Sequence, residues 1–338
     1  MELKELIHAD AAFRELGVVD YIQFDGMVSR EPELEDNDWE IEIPAGDFAR
    51  YGFQTGDYLY FPHTEWGGCV EKLVHVSSRG VIKIGGVTWR GMLIRKVISP
   101  PAGKSHLEFT SASLGDIISA LVEPFEGLFA VGESQGGAEK LICDKKKFRY
   151  QNVLEGITDM LEDYGCRLEL VLDPDSRNVI LYVQRIADHS EDIEFSGDYD
   201  LSYTSTRAEA QFNHVIALGQ GEQENRTVRH LWLLPDGSVT DDANAEGVAV
   251  GFAERVVVYD YPNCEDEDEL VSGAKKRLLK YGAQNEIEFN FDSFDIDLPL
   301  SDKVGIRDRI TQMEGVKSIT EKLLTVSADG VSLRYSVE

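Results

Sequence analysis

The stretch NHVIALGQGEQENRTVRHLWL (213–233) sets Gly219 and Gly221 two apart behind an apolar run. A phosphate-cradling loop begins in this way. A dinucleotide fingerprint needs a third glycine three residues on, which packs a helix against the strand. Here that position is Glu224, and Glu222 adds a second carboxylate where a pyrophosphate would lie. The RTVRHLWL that follows reads as a strand, so no helix N-terminus is on hand for a phosphate. The pattern reads instead as a turn or bulge between strands, where glycine permits positive φ.

Other candidate chemistry is equally thin. His214 and His230 flank the turn and with Glu222 could in principle hold a metal, but no third ligand has persuasive spacing. Ordinary strand histidines are the better reading. DPDSRN (173–178) starts like a calcium loop, yet position six is Asn178 and position twelve is Gln184, so a hairpin loop is expected. The acids from Glu265 to Glu269 would attract divalent ions weakly; their simpler role is solvation and favourable charge at a helix N-terminus. No GxSxG, SxxK or HExxH pattern occurs. The 62 acidic residues would supply carboxylate pairs in any fold, so a glycosidase reading has no specificity. The sequence assigns no catalytic residue, no cofactor and no metal.

Composition narrows the classes further. With 62 Asp+Glu against 33 Lys+Arg, the 338-residue chain carries a formal charge of -29. Such a chain repels phosphate backbones, which argues against gripping DNA or RNA. It fits a wall that lets nucleic acid pass, and equally a merely very soluble protein. Cys69, Cys143, Cys166 and Cys264 form no CxxC pair, so free thiols in a reducing cytoplasm are expected. The N-terminus lacks a signal-peptide core, and no run reaches the roughly 18 apolar residues of a membrane span. Asn225-Arg226-Thr227 matches the glycosylation pattern by chance.

Residues 18–100 read as short strands rich in β-branched and aromatic types, including WEIEI, YLYFPH, GVIKIGG and GMLIRKVIS, with turns at Ser78-Arg79-Gly80 and Gly85-Gly86. Helical periodicity then appears at 112–124, through Leu114, Ile117, Ile118, Leu121 and Val122, with Ser111 or Ser113 as cap. It returns at 150–164, which Gly165 closes. CRLELVL and NVILYVQRI form a hairpin across DPDSRN. Later strands are FNHVIALG, RTVRHLWLL and FAERVVVYDY, with a turn at Pro235-Asp236-Gly237. One helix spans about 266–281, acidic at its start and basic toward its end, and Gly282 closes it. The last block is β-rich.

Three stretches give the chain a familiar look: IKIGGVTWRGMLIRKVISPP (82–101), the 213–239 segment, and LSDKVGIRDRITQMEGVKSITEKLLTVSADGVSLRYSV (300–337). They resemble the hub family of the tail tip or baseplate of long-tailed phages, often found as the N-terminal part of a tail-associated lysin. Asn213, Gly219, Gly221, Glu222 and Arg226 fall on the family's N-x-V-I-x-L-G-x-G-E-x-x-x-R pattern, and Asp308 and Arg309 on its closing strand. These motifs are structural. The resemblance implies an α+β, mainly β fold of two β-barrel domains, 1–105 and 191–338. It places a helix-helix-β-hairpin insertion domain at 106–190 and a further helical insertion at 266–281.

The resemblance also implies a homotrimer whose six barrels form a ring at the virion tail tip, made in the host cytoplasm. That ring would close the tail tube and meet tail-tube proteins above and tip or receptor-binding proteins below. DNA would pass through its acidic channel. Since the sequence stops soon after the closing strand, the hub without a lysin is expected. Two other readings compete. A cell-wall carbohydrate-binding or receptor-binding module would cluster Trp39, Trp66, Trp89 and Trp232 in one cleft. A glycosidase- or peptidase-type lysin would need paired carboxylates in a pocket.

Overall fold

The computed structural model describes residues 5–133, 137–196, 202–221, 223–264, 266–282, 284–291 and 297–338. The fold is α+β and mainly β. It divides into a larger unit, residues 1–204 with 287–338, and a smaller one, residues 205–286.

In the larger unit the first and last parts of the chain share one sheet. Its strands run in the order Gly330–Val337, Met313–Ser327, Gln23–Ser29, Asp38–Pro44, Val81–Val87 and Lys72–Val76. Lys303–Asp308 branches from the long strand and pairs in parallel with Glu194–Ser196. WEIEI alternates as its sequence demands. Trp39, Ile41 and Ile43 turn inward and are buried, packing with Phe24, Trp66, Ile84, Leu324 and Tyr335. Each such side chain contributes roughly 1.5–3 kcal/mol by leaving water.

None of the sheets closes on itself among the described residues, so the structure has open sheets where the sequence reading expects two barrels.

A second core gathers helix α1 (Trp89–Ile94), helix α2 (Leu114–Val122), helix α3 (Val153–Glu162) and the hairpin Cys166–Asp173/Asn178–Arg185. The predicted apolar stripes face it: Leu114, Ile117, Ile118, Leu121 and Val122 on α2, and Leu154, Ile157 and Leu161 on α3 are all buried. Ser113 caps α2 by accepting from the Asp116 amide at 3.1 Å, and Asn152 caps α3 through Glu155 at 2.8 Å. Gly165, at φ 62°, follows α3 as its closing glycine.

Two local readings of the first block are corrected. GMLIRKVIS is not a strand: Thr88 accepts from the Gly91 amide at 3.1 Å and starts α1 instead. Gly85-Gly86 is not a turn but the interior of the strand Val81–Val87. A Cβ on Gly86 would lie 1.9 Å from the Cys69 carbonyl oxygen, and one on Gly68 1.9 Å from that of Val87. These glycines permit backbones to touch. The turn proper is Ser77 to Gly80, with Gly80 at φ 65°.

The smaller unit is a four-stranded sheet in the order Val239–Thr240, Val228–Leu233, His214–Leu218 and Val256–Asp260. The last pair is parallel. Helix α4 (Glu267–Lys280) covers one face, burying Leu270, Ala274 and Leu278 against Val215, Ala217 and Leu231. Asp266 caps it by accepting from the amides of Asp268 and Glu269, and Arg277 and Lys280 lie in its last turn.

Candidate functional site

The Gly-x-Gly segment leaves the strand His214–Leu218 and leads through a short helical turn, Gln223–Asn225, into Val228–Leu233. The two strands are antiparallel, with Leu218 opposite Val228. The Gly219 amide donates to the Thr227 carbonyl at 2.8 Å, and the Thr227 amide to Gln220 at 2.9 Å. Gly221 sits at φ 109°, and a Cβ there would lie 2.4 Å from the Asn225 carbonyl oxygen. A Cβ on Gly219 would come 2.9 Å from Leu270 of α4. Gly221 is therefore required by the turn, while Gly219 lets the Leu270 side chain of α4 lie close against the strand end.

Arg226 locks the loop: its Nε donates to the Gly219 carbonyl at 3.0 Å, and its guanidinium pairs with Asp260. Asn213 does similar work at the other end of the strand. Its Oδ1 accepts from the Arg255 amide at 2.8 Å and its Nδ2 donates to the Ala253 carbonyl at 2.9 Å. It thereby sets the register of the parallel pair. The structure brings Asn213, Gly219, Gly221 and Arg226 onto one strand and its loop. Glu222 lies outside the described residues, as does Glu265 of the acidic run.

Asp308 and Arg309 belong to the larger unit. Asp308 is buried where Lys303–Asp308 turns into Met313–Ser327. Its carboxylate accepts from the Ile310 amide at 2.9 Å and the Thr311 hydroxyl at 2.5 Å, so it shapes a hairpin. Arg309 is exposed.

The two histidines form a relay that the sequence reading did not foresee. Glu254 accepts from His214 Nδ1 at 2.7 Å, and His214 Nε2 lies 2.8 Å from His230 Nδ1. A carboxylate only accepts, so neutral His214 carries its proton on Nδ1 and receives one from His230. Trp232, opposite His214, stacks on its ring at 4.7 Å between centroids. Glu254, just ahead of the parallel strand, comes from 40 residues away, and nothing local in the sequence signals that crossing. Among the described residues no group of three His, Cys, Asp or Glu side chains is placed to hold a metal.

Burial holds the His214 pKa below the ordinary histidine value, with the neighbouring His230 adding to it and Glu254 opposing. The folded state therefore resists protonation that the unfolded chain accepts. Its stabilising share is complete above the unfolded value, about 6.5, and is lost as pH falls through the depressed folded value. Amide exchange along 214–218 and 228–233 is expected to accelerate between pH 7.5 and pH 5.5, beyond the intrinsic pH effect on exchange. In a His214→Gln variant that excess should vanish; an unchanged excess would refute the assignment.

The four tryptophans do not share a cleft. Trp39 and Trp66 are buried in the first core, Trp89 in the second, and Trp232 in the smaller unit. Among the described residues no helix is long and apolar enough to cross a membrane.

Comparison with known proteins places the fold. No family model matches the chain, and no curated protein does. Solved structures do. The crystal structure of a 43 kDa tail protein of prophage MuSo2 from Shewanella oneidensis aligns at 13% identity and a TM-score of 0.58, covering 99% of this chain and 98% of that one. A tail protein from Neisseria meningitidis MC58 aligns at 13% and 0.57, covering 98% and 95%. The prophage tail protein gp18 from Listeria monocytogenes EGD-e aligns at 13% and 0.52, covering 98% and 94%. The chain thus has the fold of prophage tail proteins, in agreement with the phage-tail resemblance carried by its three sequence stretches.

Proposed function

We propose that the chain is a structural hub at the tip of a phage-type tail, acting as a homotrimer rather than as an enzyme. The observation that carries this reading is the shared fold over nearly the full length of both chains with three prophage tail proteins. In the proposed ring each copy contributes its two β-rich blocks, 1–105 and 191–338, around the channel, with 106–190 inserted between them. Tail-tube proteins bind above and tip or receptor-binding proteins below. The charge of -29 keeps the wall from holding passing DNA, because each Lys or Arg there would add salt-dependent affinity. Asn213, Gly219, Gly221 and Arg226 serve shape in this reading, and so does Asp308. Burial of all four tryptophans argues against a carbohydrate platform.

Gold-labelled antibody against the protein, imaged on purified particles, tests the placement. Label at the distal end of the tail is expected, and label along the tube or absent from tails would overturn it. A threefold ring seen by class averaging of the tip tests the trimer, and any other symmetry rejects it.

A further inference from the structure

We propose that the strand Ile142–Phe148, continued through Arg149 and Tyr150, binds an extended acidic segment of a partner protein whose carboxylates recur at every second residue. The strand belongs to the larger unit and pairs with Leu107–Ser113 in a sheet of two strands. No further strand lies on its other edge among the described residues.

The stretch KKKFR (145–149) alternates. Lys146 is half-buried and meets Asp163 at 2.5 Å, and Phe148 is buried in the second core. Lys145 and Lys147 are exposed on the opposite face, and exposed Arg149 continues the spacing just past the strand end. Residues two apart in a strand lie roughly 6.6 Å apart. Carboxylates at alternate positions of an added strand share that spacing, so each cation gains a cross-strand partner. With 62 acids against 33 bases, a cation in this chain has acids to spare, and Arg79, Arg167 and Arg226 each pair with one. Lys147 and Arg149 have no carboxylate partner among the described residues, and Lys145 has Glu108 at 3.4 Å.

Arg149 lies instead over the ring of Tyr150, 5.7 Å from its centre. Tyr150 is 67% exposed and holds φ at 51°, a conformation that a bulky residue adopts at a cost. Exposed Val97 lies on the segment bonded to this one: the Tyr150 amide donates to the Ile98 carbonyl at 2.9 Å, and Val97 pairs with Asn152. Cations beside an exposed tyrosine and valine have the composition of a protein interface, in which Tyr and Arg are enriched. Lysines on an open edge ordinarily keep other strands away. Here they leave acidic strands as the ones attracted. A short acidic segment senses this row alone, because charges beyond about 8–10 Å are screened at physiological salt. A DNA duplex reaches past the row to the rest of a chain of charge -29, which repels it.

The test measures binding of a labelled peptide, TEVEVEVT, to the whole protein by fluorescence anisotropy, independently of where the chain sits in a tail. Saturable binding is expected, weakening at least about threefold from about 0.1 M to about 0.5 M salt. Lys147→Glu with Arg149→Glu, both exposed changes, should weaken it at least about tenfold, since each turns an attraction into a repulsion. Lys72→Glu with Lys275→Glu alters the net charge equally at exposed sites elsewhere and should leave binding within about twofold. Should the reversals lower Tm, Lys147→Gln with Arg149→Gln decides instead, with an expected loss of at least about threefold. No binding of the acidic peptide would overturn the proposal, as would equal binding of the peptide TKVKVKVT or of a DNA duplex. Self-association lost in the reversal variant, without peptide binding, would assign the row to a second copy and overturn it too.

Discussion

Replacing Lys322 with methionine is expected to destabilise the larger unit by about 3 kcal/mol, at the lower end of what removing one partner of a buried ion pair costs. The Lys322 side chain is 3% exposed and its ammonium lies between two carboxylates, Glu65 at 2.5 Å and Asp297 at 2.8 Å. It also sits 5.7 Å from the centre of the Trp66 ring. Glu65 is itself largely buried, so losing the ammonium strands a charge that water cannot reach freely. Urea unfolding followed by Trp66 and Trp39 fluorescence measures the loss. A change below about 1 kcal/mol would reject the argument, since ordinary surface pairs give no more than that.

A double variant, Glu65→Gln with Lys322→Met, should recover part of the loss, because it removes both charges together. The carboxylates hold the Lys322 pKa above its ordinary value. The pair's contribution is therefore complete below the unfolded lysine value of about 10.4 and fades only as pH rises beyond it.

The second large effect is expected at Gly86. An added methyl would lie 1.9 Å from the Cys69 carbonyl oxygen and 3.0 Å from the Glu71 nitrogen, both backbone atoms that no rotamer change can move aside. Gly86→Ala should cost at least about 3 kcal/mol, in the upper range of overpacking. Gly46→Ala is the control. Gly46 is exposed, and its added methyl would meet nothing within 4 Å. It should stay within about 0.5 kcal/mol of the original protein. Thermal unfolding by circular dichroism compares the two, and equal midpoints would refute the close-approach reading.

Gly86 also shows where the sequence stops being legible. A glycine pair beside an apolar run is the same string whether it bends the chain or lets another backbone touch it. Only the position of Cys69 decides, and that is a tertiary fact. The helices were readable because their signals are local: the stripe Leu114, Ile117, Ile118, Leu121 repeats at helical spacing, Ser113 supplies a cap, and the helix near 266–281 is acidic at its start and basic toward its end. GMLIRKVIS misled because its apolar run suits a strand, while Thr88 ahead of it offers a cap that period alone does not weigh.

The Gly219–Arg226 loop was readable as a connection because Glu224 and the strand after it exclude a nucleotide site. Its partner Asp260 and the relay acid Glu254 were not, since they arrive with, and just ahead of, a parallel strand 34 and 40 residues on. The ion cluster at Lys322 had no local mark either; its partner Glu65 lies 257 residues away.

That distance has a consequence for how the protein is made. The strand Gln23–Ser29 pairs with Met313–Ser327, and Thr325 donates to Asp25 at 2.7 Å across 300 residues of chain. At a synthesis rate of roughly 5–20 residues per second, the early strand waits about 15–60 s for its neighbour to leave the ribosome. Through that interval Phe24 and Val28 lack their final cover, and the strand edge is open to any other nascent chain. Folding of the larger unit is therefore a late, largely post-translational event. Its yield in the cell depends on how well that waiting edge is shielded.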